Sequence, residues 1–102
     1  MPIYQTASYR VRPEAVAKVR LAIAEFVDYV RGHEPGTRMY AAWQEQADPT
    51  QFVHLFIFED APAQAAHGES AAVAQFESVY RPELVGGDVV FTDFDLVAAN
   101  DR

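Results

Sequence analysis

Cysteine is absent from this chain of 102 residues. Its absence excludes a disulfide scaffold, a cysteine-ligated zinc or iron–sulfur site and a thiol nucleophile. Cations are scarce: 8 Lys and Arg stand against 15 Asp and Glu, a formal net charge of −7. That balance argues against unaided binding to nucleic acid or to an anionic membrane. No run approaches the ~20 apolar residues that span a bilayer. The opening Met1-Pro2-Ile3-Tyr4-Gln5-Thr6 lacks a basic stretch followed by an apolar run. It therefore predicts no signal peptide and a cytoplasmic location. The 5 glycines form neither GxGxxG nor GxxxxGKS/T, and no GxSxG occurs. Neither a nucleotide-phosphate loop nor a serine nucleophile elbow is indicated. His33, His54 and His67 are far apart and show no metal-ligand spacing. No metal is expected.

What is present is apolar and aromatic. Half the residues are hydrophobic, among them seven Phe, five Tyr and one Trp. Such a chain is too apolar for intrinsic disorder. The length fits one domain of about 100–150 residues, read as spanning 1–102. A domain of this size buries roughly 60–70% of its unfolded surface, enough for a core without staples.

The periodicity predicts strand, helix, strand, strand, helix, strand. Ile3 to Val11 alternates as a half-buried strand. Pro13 suits a first helical position, and Val16, Val19, Ile23, Phe26, Val27 and Val30 then form one stripe. Gly32-His33-Glu34-Pro35-Gly36 breaks that helix. Thr37 to Gln46 is read as a strand, with Met39, Ala41 and Trp43 opposite Tyr40 and Ala42. Gln51 to Glu59 is apolar on both faces: Val53, Leu55 and Ile57 on one, Phe52, His54, Phe56 and Phe58 on the other. A strand covered on both sides reads this way. Asp60 and Ser70 are candidate helix caps, and Pro82 ends the helical region. Asp88 to Ala98 is read as the last strand.

The order βαββαβ is the ferredoxin-like pattern, an α+β fold whose helices cover one face of an antiparallel sheet. Apolar residues on both faces of several strands then require a second cover. A second copy of the same sheet supplies it, so a homodimer is expected.

The chain from Ile3 to about Ala98 resembles the antibiotic biosynthesis monooxygenase family of dimeric α+β barrels. Four features carry the resemblance: Val11-Arg12-Pro13-Glu14 entering a long helix; Glu34-Pro35-Gly36 before Met39-Tyr40-Ala41-Ala42-Trp43; Asp48-Pro49-Thr50-Gln51-Phe52-Val53 opening the third strand; and Ala65-Ala66-His67 followed by Ser70 and Phe76. The resemblance implies oxidation of a quinol or polycyclic aromatic by molecular oxygen without flavin, haem or metal. A deprotonated phenol or anthrone is electron-rich enough to pass an electron to oxygen. The protein then holds the ring, assists proton removal and excludes water. Two family positions differ here. Phe58 stands where Trp is common near the end of the third strand, and His54 stands where Asn is common on the same face. Haem-degrading relatives need a His late in the second helical region, and none lies between Ser70 and Tyr80.

His54 is the candidate catalytic group, an imidazole among aromatic rings suited to moving a proton. Its plain alternative is a buried, satisfied core histidine. Phe52, Phe56 and Phe58 are candidate cavity walls, and Tyr40 and His67 candidate substrate-orienting groups. His67 also suits a helix C-terminus, where a cation complements the dipole. Trp43 is assigned to the dimer interface and Phe26, Phe76 and Tyr80 to the helix–sheet core. Tyr4, Tyr9 and Tyr80 are not ranked as ligand contacts, and Asp93 with Asp95 is read as a solvated edge before an acid–base pair. Two other functions stand beside the oxygenase: a non-catalytic dimer binding a small hydrophobic aromatic, and a purely structural partner domain.

Overall fold

The computed structural model describes residues 1–100. Strand β1 (Ile3–Arg10) leads through a 3-10 turn at Pro13–Ala15 into helix α1 (Val16–His33). Strands β2 (Thr37–Gln44) and β3 (Gln51–Phe58) follow, then helices α2 (Ala61–Gly68) and α3 (Ala71–Tyr80) and strand β4 (Val90–Phe94). The strands form one antiparallel sheet in the order β2-β3-β1-β4, which is the ferredoxin-like order.

Helix α1 follows its apolar stripe. Val19, Ile23, Phe26 and Val30 are buried, while Leu21, off the stripe, is exposed. Pro35 ends the helix by disfavouring helical geometry at the residue before it, and Glu34 sits at φ −125°, ψ 75°. Side-chain caps start the two later helices: Asp60 accepts from the Ala63 amide at 3.0 Å, and Ser70 accepts from the Val73 amide at 3.1 Å.

Register divides the side chains between two layers. Directly paired residues share a face, so Ala7, His54 and Ala42 stand together, as do Tyr9 and Phe52. In β3 the alternation is complete: Phe52, His54, Phe56 and Phe58 are buried beneath the helices. Val53, Leu55 and Ile57 take the opposite, outer face and are half-buried. Met39 and Trp43 of β2 and Val90 and Phe94 of β4 share that outer face by register and are exposed.

All four strands are shorter than expected, β3 only by Glu59. β1 ends at Arg10 because Val11 leaves it to bridge Leu84, where the Val11 amide bonds the Thr50 carbonyl instead. β2 stops at Gln44 and carries an irregularity between Thr37 and Met39. β4 spans only Val90–Phe94, and Asp95 to Ala98 are exposed and outside it. As an edge strand it pairs with β1 alone, so alternation there has only one ladder to support it.

Glu83 closes the end of the helical layer. Its buried carboxylate takes Arg12 and Lys18 as partners, tying the segment after α3 to the start of α1.

Candidate functional site

The inner face of the sheet and the helices enclose a row of packed rings. Phe26 of α1 lies on Phe76 of α3 with centroids 5.2 Å apart and nearly parallel planes. Phe76 continues to Tyr80 at 4.9 Å, Tyr80 to Tyr9 at 4.6 Å, and Tyr9 to Phe52 at 5.7 Å. Such pairs add to stability beyond the area they bury. The expected helix–sheet core and the expected aromatic cavity are therefore one layer.

His54 lies within this layer and is 1% exposed. Both ring nitrogens are engaged. The Tyr9 hydroxyl lies 2.8 Å from Nε2, and the Tyr40 hydroxyl lies 2.7 Å from Nδ1. A neutral imidazole carries one N–H and one lone pair. One tyrosine therefore donates to the ring, and the other accepts from it and keeps its own proton for a third group. Burial holds His54 neutral, lowering its pKa from 6.5 to about 4. Burial also keeps Tyr9 and Tyr40 protonated, well above the ordinary tyrosine range. The three residues form a neutral Tyr–His–Tyr chain across β1, β3 and β2.

A second polar pair stands on the other side of Tyr40. His67, near the end of α2, places Nδ1 2.7 Å from Oε1 of Glu34. Both side chains are largely buried, 13% and 10% exposed. The Thr37 hydroxyl donates to the same oxygen at 2.8 Å. Oε2 of Glu34 is buried without a partner. Close approach of the loop to α2 makes this pairing. Gly36 lies so near that a Cβ there would meet the Ala63 Cβ at 2.6 Å, and the Gly36 carbonyl accepts from the Glu59 amide at 2.8 Å. The His67 ring lies among Phe26, Tyr40, Phe56 and Phe58, with centroids 5.1–6.0 Å away.

These two polar groups border one cavity of about 50 Å³, lined by Tyr9, Phe26, Tyr40, His54, Phe56, His67, Phe76, Tyr80 and Phe91 among others. Its volume suits a water or two, whereas sites enclosing a drug-sized ligand run to about 300–1,000 Å³. A bound ring therefore requires its walls to move. Phe91, on the edge strand and 52% exposed, is the least constrained aromatic of that wall.

The structure brings together four of the six residues named from sequence: His54, Tyr40, Phe56 and His67. Phe52 packs one step away against Tyr9 in the main core, and Phe58 packs against Phe56 and His67 behind the wall. Tyr9 and Glu34 join the site from outside that set. Tyr4 and Tyr9 take opposite faces of β1, and pairing with Phe52 puts Tyr9 on the inner face beside His54. Glu34 reads in sequence as part of a helix-breaking segment. Trp43 lies on the outer face and is 59% exposed. Asp93 accepts from Gln5 at 2.9 Å in an exposed pair away from the cavity wall. Among the described residues, no cluster of three or more acidic or histidine ligands suits a metal ion, and no helix is long and apolar enough to cross a membrane.

The fold has many solved counterparts. An antibiotic biosynthesis monooxygenase superposes with a TM-score of 0.86 at 23% identity, covering 94% of this chain and 99% of the other. A candidate monooxygenase of the same kind from Bacteroides thetaiotaomicron gives 0.89 at 15% identity, covering 99% and 94%. The protein Rv0793 from Mycobacterium tuberculosis gives 0.85 at 18% identity, covering 99% and 100%. At these identities the likeness speaks for the fold. No curated protein sequence matches the chain. The profile of the antibiotic biosynthesis monooxygenase family matches residues 2–78. The chain thus belongs to the antibiotic biosynthesis monooxygenase family.

Proposed function

We propose that this protein is a cofactor-independent monooxygenase that oxidises a quinol or polycyclic aromatic substrate with molecular oxygen. One observation carries the reading: an aromatic-walled cavity whose polar lining includes the hydrogen-bonded Tyr9–His54–Tyr40 chain. The rings of Phe26, Phe56 and Phe76 give a substrate ring its apolar surroundings. A substrate hydroxyl donates to one tyrosine oxygen while that tyrosine donates to His54. His54 thereby assists deprotonation through a hydroxyl rather than by direct contact. The resulting phenolate passes one electron to oxygen, giving an aryloxyl radical and superoxide. Where the substrate has a ring carbon bearing hydrogen, their recombination there and return of the abstracted proton give a hydroperoxide, and loss of water leaves a carbonyl, AH2 + O2 → A=O + H2O; a simple quinol instead gives its quinone, QH2 + O2 → Q + H2O2.

The functional unit in this reading is a homodimer. The outer face presents Met39, Trp43, Val90 and Phe94 to solvent, with half-buried Val53, Leu55 and Ile57 between them. A second copy of the same apolar face is its own complement under two-fold symmetry. Phe52 and Phe58 support the cavity wall from behind.

A binding role without catalysis is the second reading. It is favoured by one observation: both nitrogens of His54 are already satisfied, as in a rigid polar core. Oxygen uptake separates the two. Purified protein treated with chelator is mixed with menadiol-type quinols or an anthrone, and uptake is compared with the spontaneous rate. Acceleration that His54→Gln lowers supports the oxygenase. Tight binding without acceleration supports the carrier.

A further inference from the structure

The Tyr9–His54–Tyr40 chain can orient a substrate hydroxyl, yet is a poor place for its proton to stay. His54 is enclosed among Tyr9, Tyr40 and Phe76, and no carboxylate bonds its ring to balance an added charge. A deprotonated substrate needs a place for its proton to stay. We infer that His67, paired with Glu34, is that acceptor, and that it abstracts a phenolic proton from an aromatic ligand in the cavity. The inference rests on the proposed aromatic-hydroxyl substrate.

Three features support it. The Glu34 carboxylate lies on Nδ1 of His67, so a neutral ring there carries its proton on Nδ1 and its lone pair on Nε2. Nε2 has no hydrogen-bond partner among the described residues, although the ring lines the cavity. The second oxygen of Glu34 is buried and unpaired, so its charge is only partly compensated by Thr37 and His67. A proton arriving on His67 completes that compensation. In the step, the substrate O–H bond breaks and its electron pair stays on oxygen. The His67 lone pair forms the new N–H bond. The products are a phenolate and an imidazolium held by a carboxylate, a pairing that stabilises the charged ring as it forms.

4-Nitrophenol provides the test, since its anion absorbs in the visible and it is not the oxidised substrate. Nitrobenzene serves as a ring that cannot ionise. Wild-type protein is expected to bind nitrophenol with growth of the anion band. His67→Gln and Glu34→Gln are expected to keep binding nitrobenzene but to lower the ratio of bound anion to bound phenol roughly ten-fold or more, the scale of one charge-assisted hydrogen bond. Glu34→Asp should restore part of the band. Independently, nitrogen-15 spectra of wild type should show His67 protonated at Nδ1 and bare at Nε2, with Glu34→Gln changing that pattern. Persistence of the full anion band in folded His67→Gln overturns the assignment. So does nitrophenol bound without ionisation, even if quinol oxidation continues by another route. If neither aromatic binds, the cavity reading fails and the dyad assignment fails with it.

Discussion

Acidification offers a direct test of the site, because His54 is buried neutral and bonded on both sides. Its pKa falls from 6.5 to about 4 on folding, through burial. The unfolded chain therefore binds a proton that the folded chain refuses. The stability from the neutral ring is fully present above the unfolded value near 6.5 and is lost as pH falls toward the folded value near 4. Between pH 7 and pH 5 that loss amounts to about 2 kcal/mol. For a chain of this length it corresponds to roughly 8–16 °C in melting temperature. The comparison variant is His54→Gln, which keeps a donor and an acceptor but does not titrate. Urea unfolding of both proteins from pH 7 to pH 5 should show the wild type losing about 2 kcal/mol more than the variant. Carboxylate effects are common to both proteins and cancel in the difference. A parallel pH dependence would refute the reasoning. So would a His54 ring that titrates in folded wild type near its ordinary value by NMR, a measurement that does not depend on the variant folding.

Other outcomes follow from the same packing. Tyr9→Phe leaves a nitrogen of His54 buried without a partner and should cost about 1–3 kcal/mol in urea unfolding. Gly36→Ala forces the loop off α2, because its Cβ would meet Ala63 at 2.6 Å. The expected cost is about 1–3 kcal/mol, with loss of the Glu34–His67 pairing seen in the His67 ring signals. Phe91→Ala should enlarge the cavity from the exposed edge and strengthen binding of a two-ring aromatic, measured by calorimetry, with little loss of stability since the ring is already half exposed. Leu55→Glu, on the outer face of β3, should leave the chain folded by circular dichroism but monomeric by sedimentation, if two copies pair through that face.

Legibility followed the strength of each pattern. Helix α1 could be read because Val19, Ile23, Phe26 and Val30 recur at helical spacing, and the same residues are buried. β3 could be read because its period-two alternation is unbroken, and the burial alternates with it. The last strand was harder. Apolar residues continue past Phe94, so a longer strand is the natural reading, yet the ladder to β1 ends at Tyr4 and Phe94. The site was partly legible. His54 stands out as the one polar residue on a face it shares with Phe52, Phe56 and Phe58. Tyr9 does not, since Tyr4 and Tyr80 carry the same chemistry. Glu34 is one of 15 acidic residues, and its neighbours Pro35 and Gly36 mark it as a breaker rather than a partner.

The sequence by itself determined the elements, the two faces of each strand, the caps at Asp60 and Ser70, and the absence of cysteine chemistry. These depend on neighbours within a few residues, where period and backbone preference suffice. Tertiary structure decided which layer holds the cavity and which groups meet in it. His54 reaches Tyr9 across 45 positions and Tyr40 across 14, and His67 reaches Glu34 across 33. Such pairings depend on strand register and on the close approach of a loop to a helix. No local pattern encodes them, because a hydrogen bond is fixed by where two chain segments meet and not by what surrounds either one in sequence.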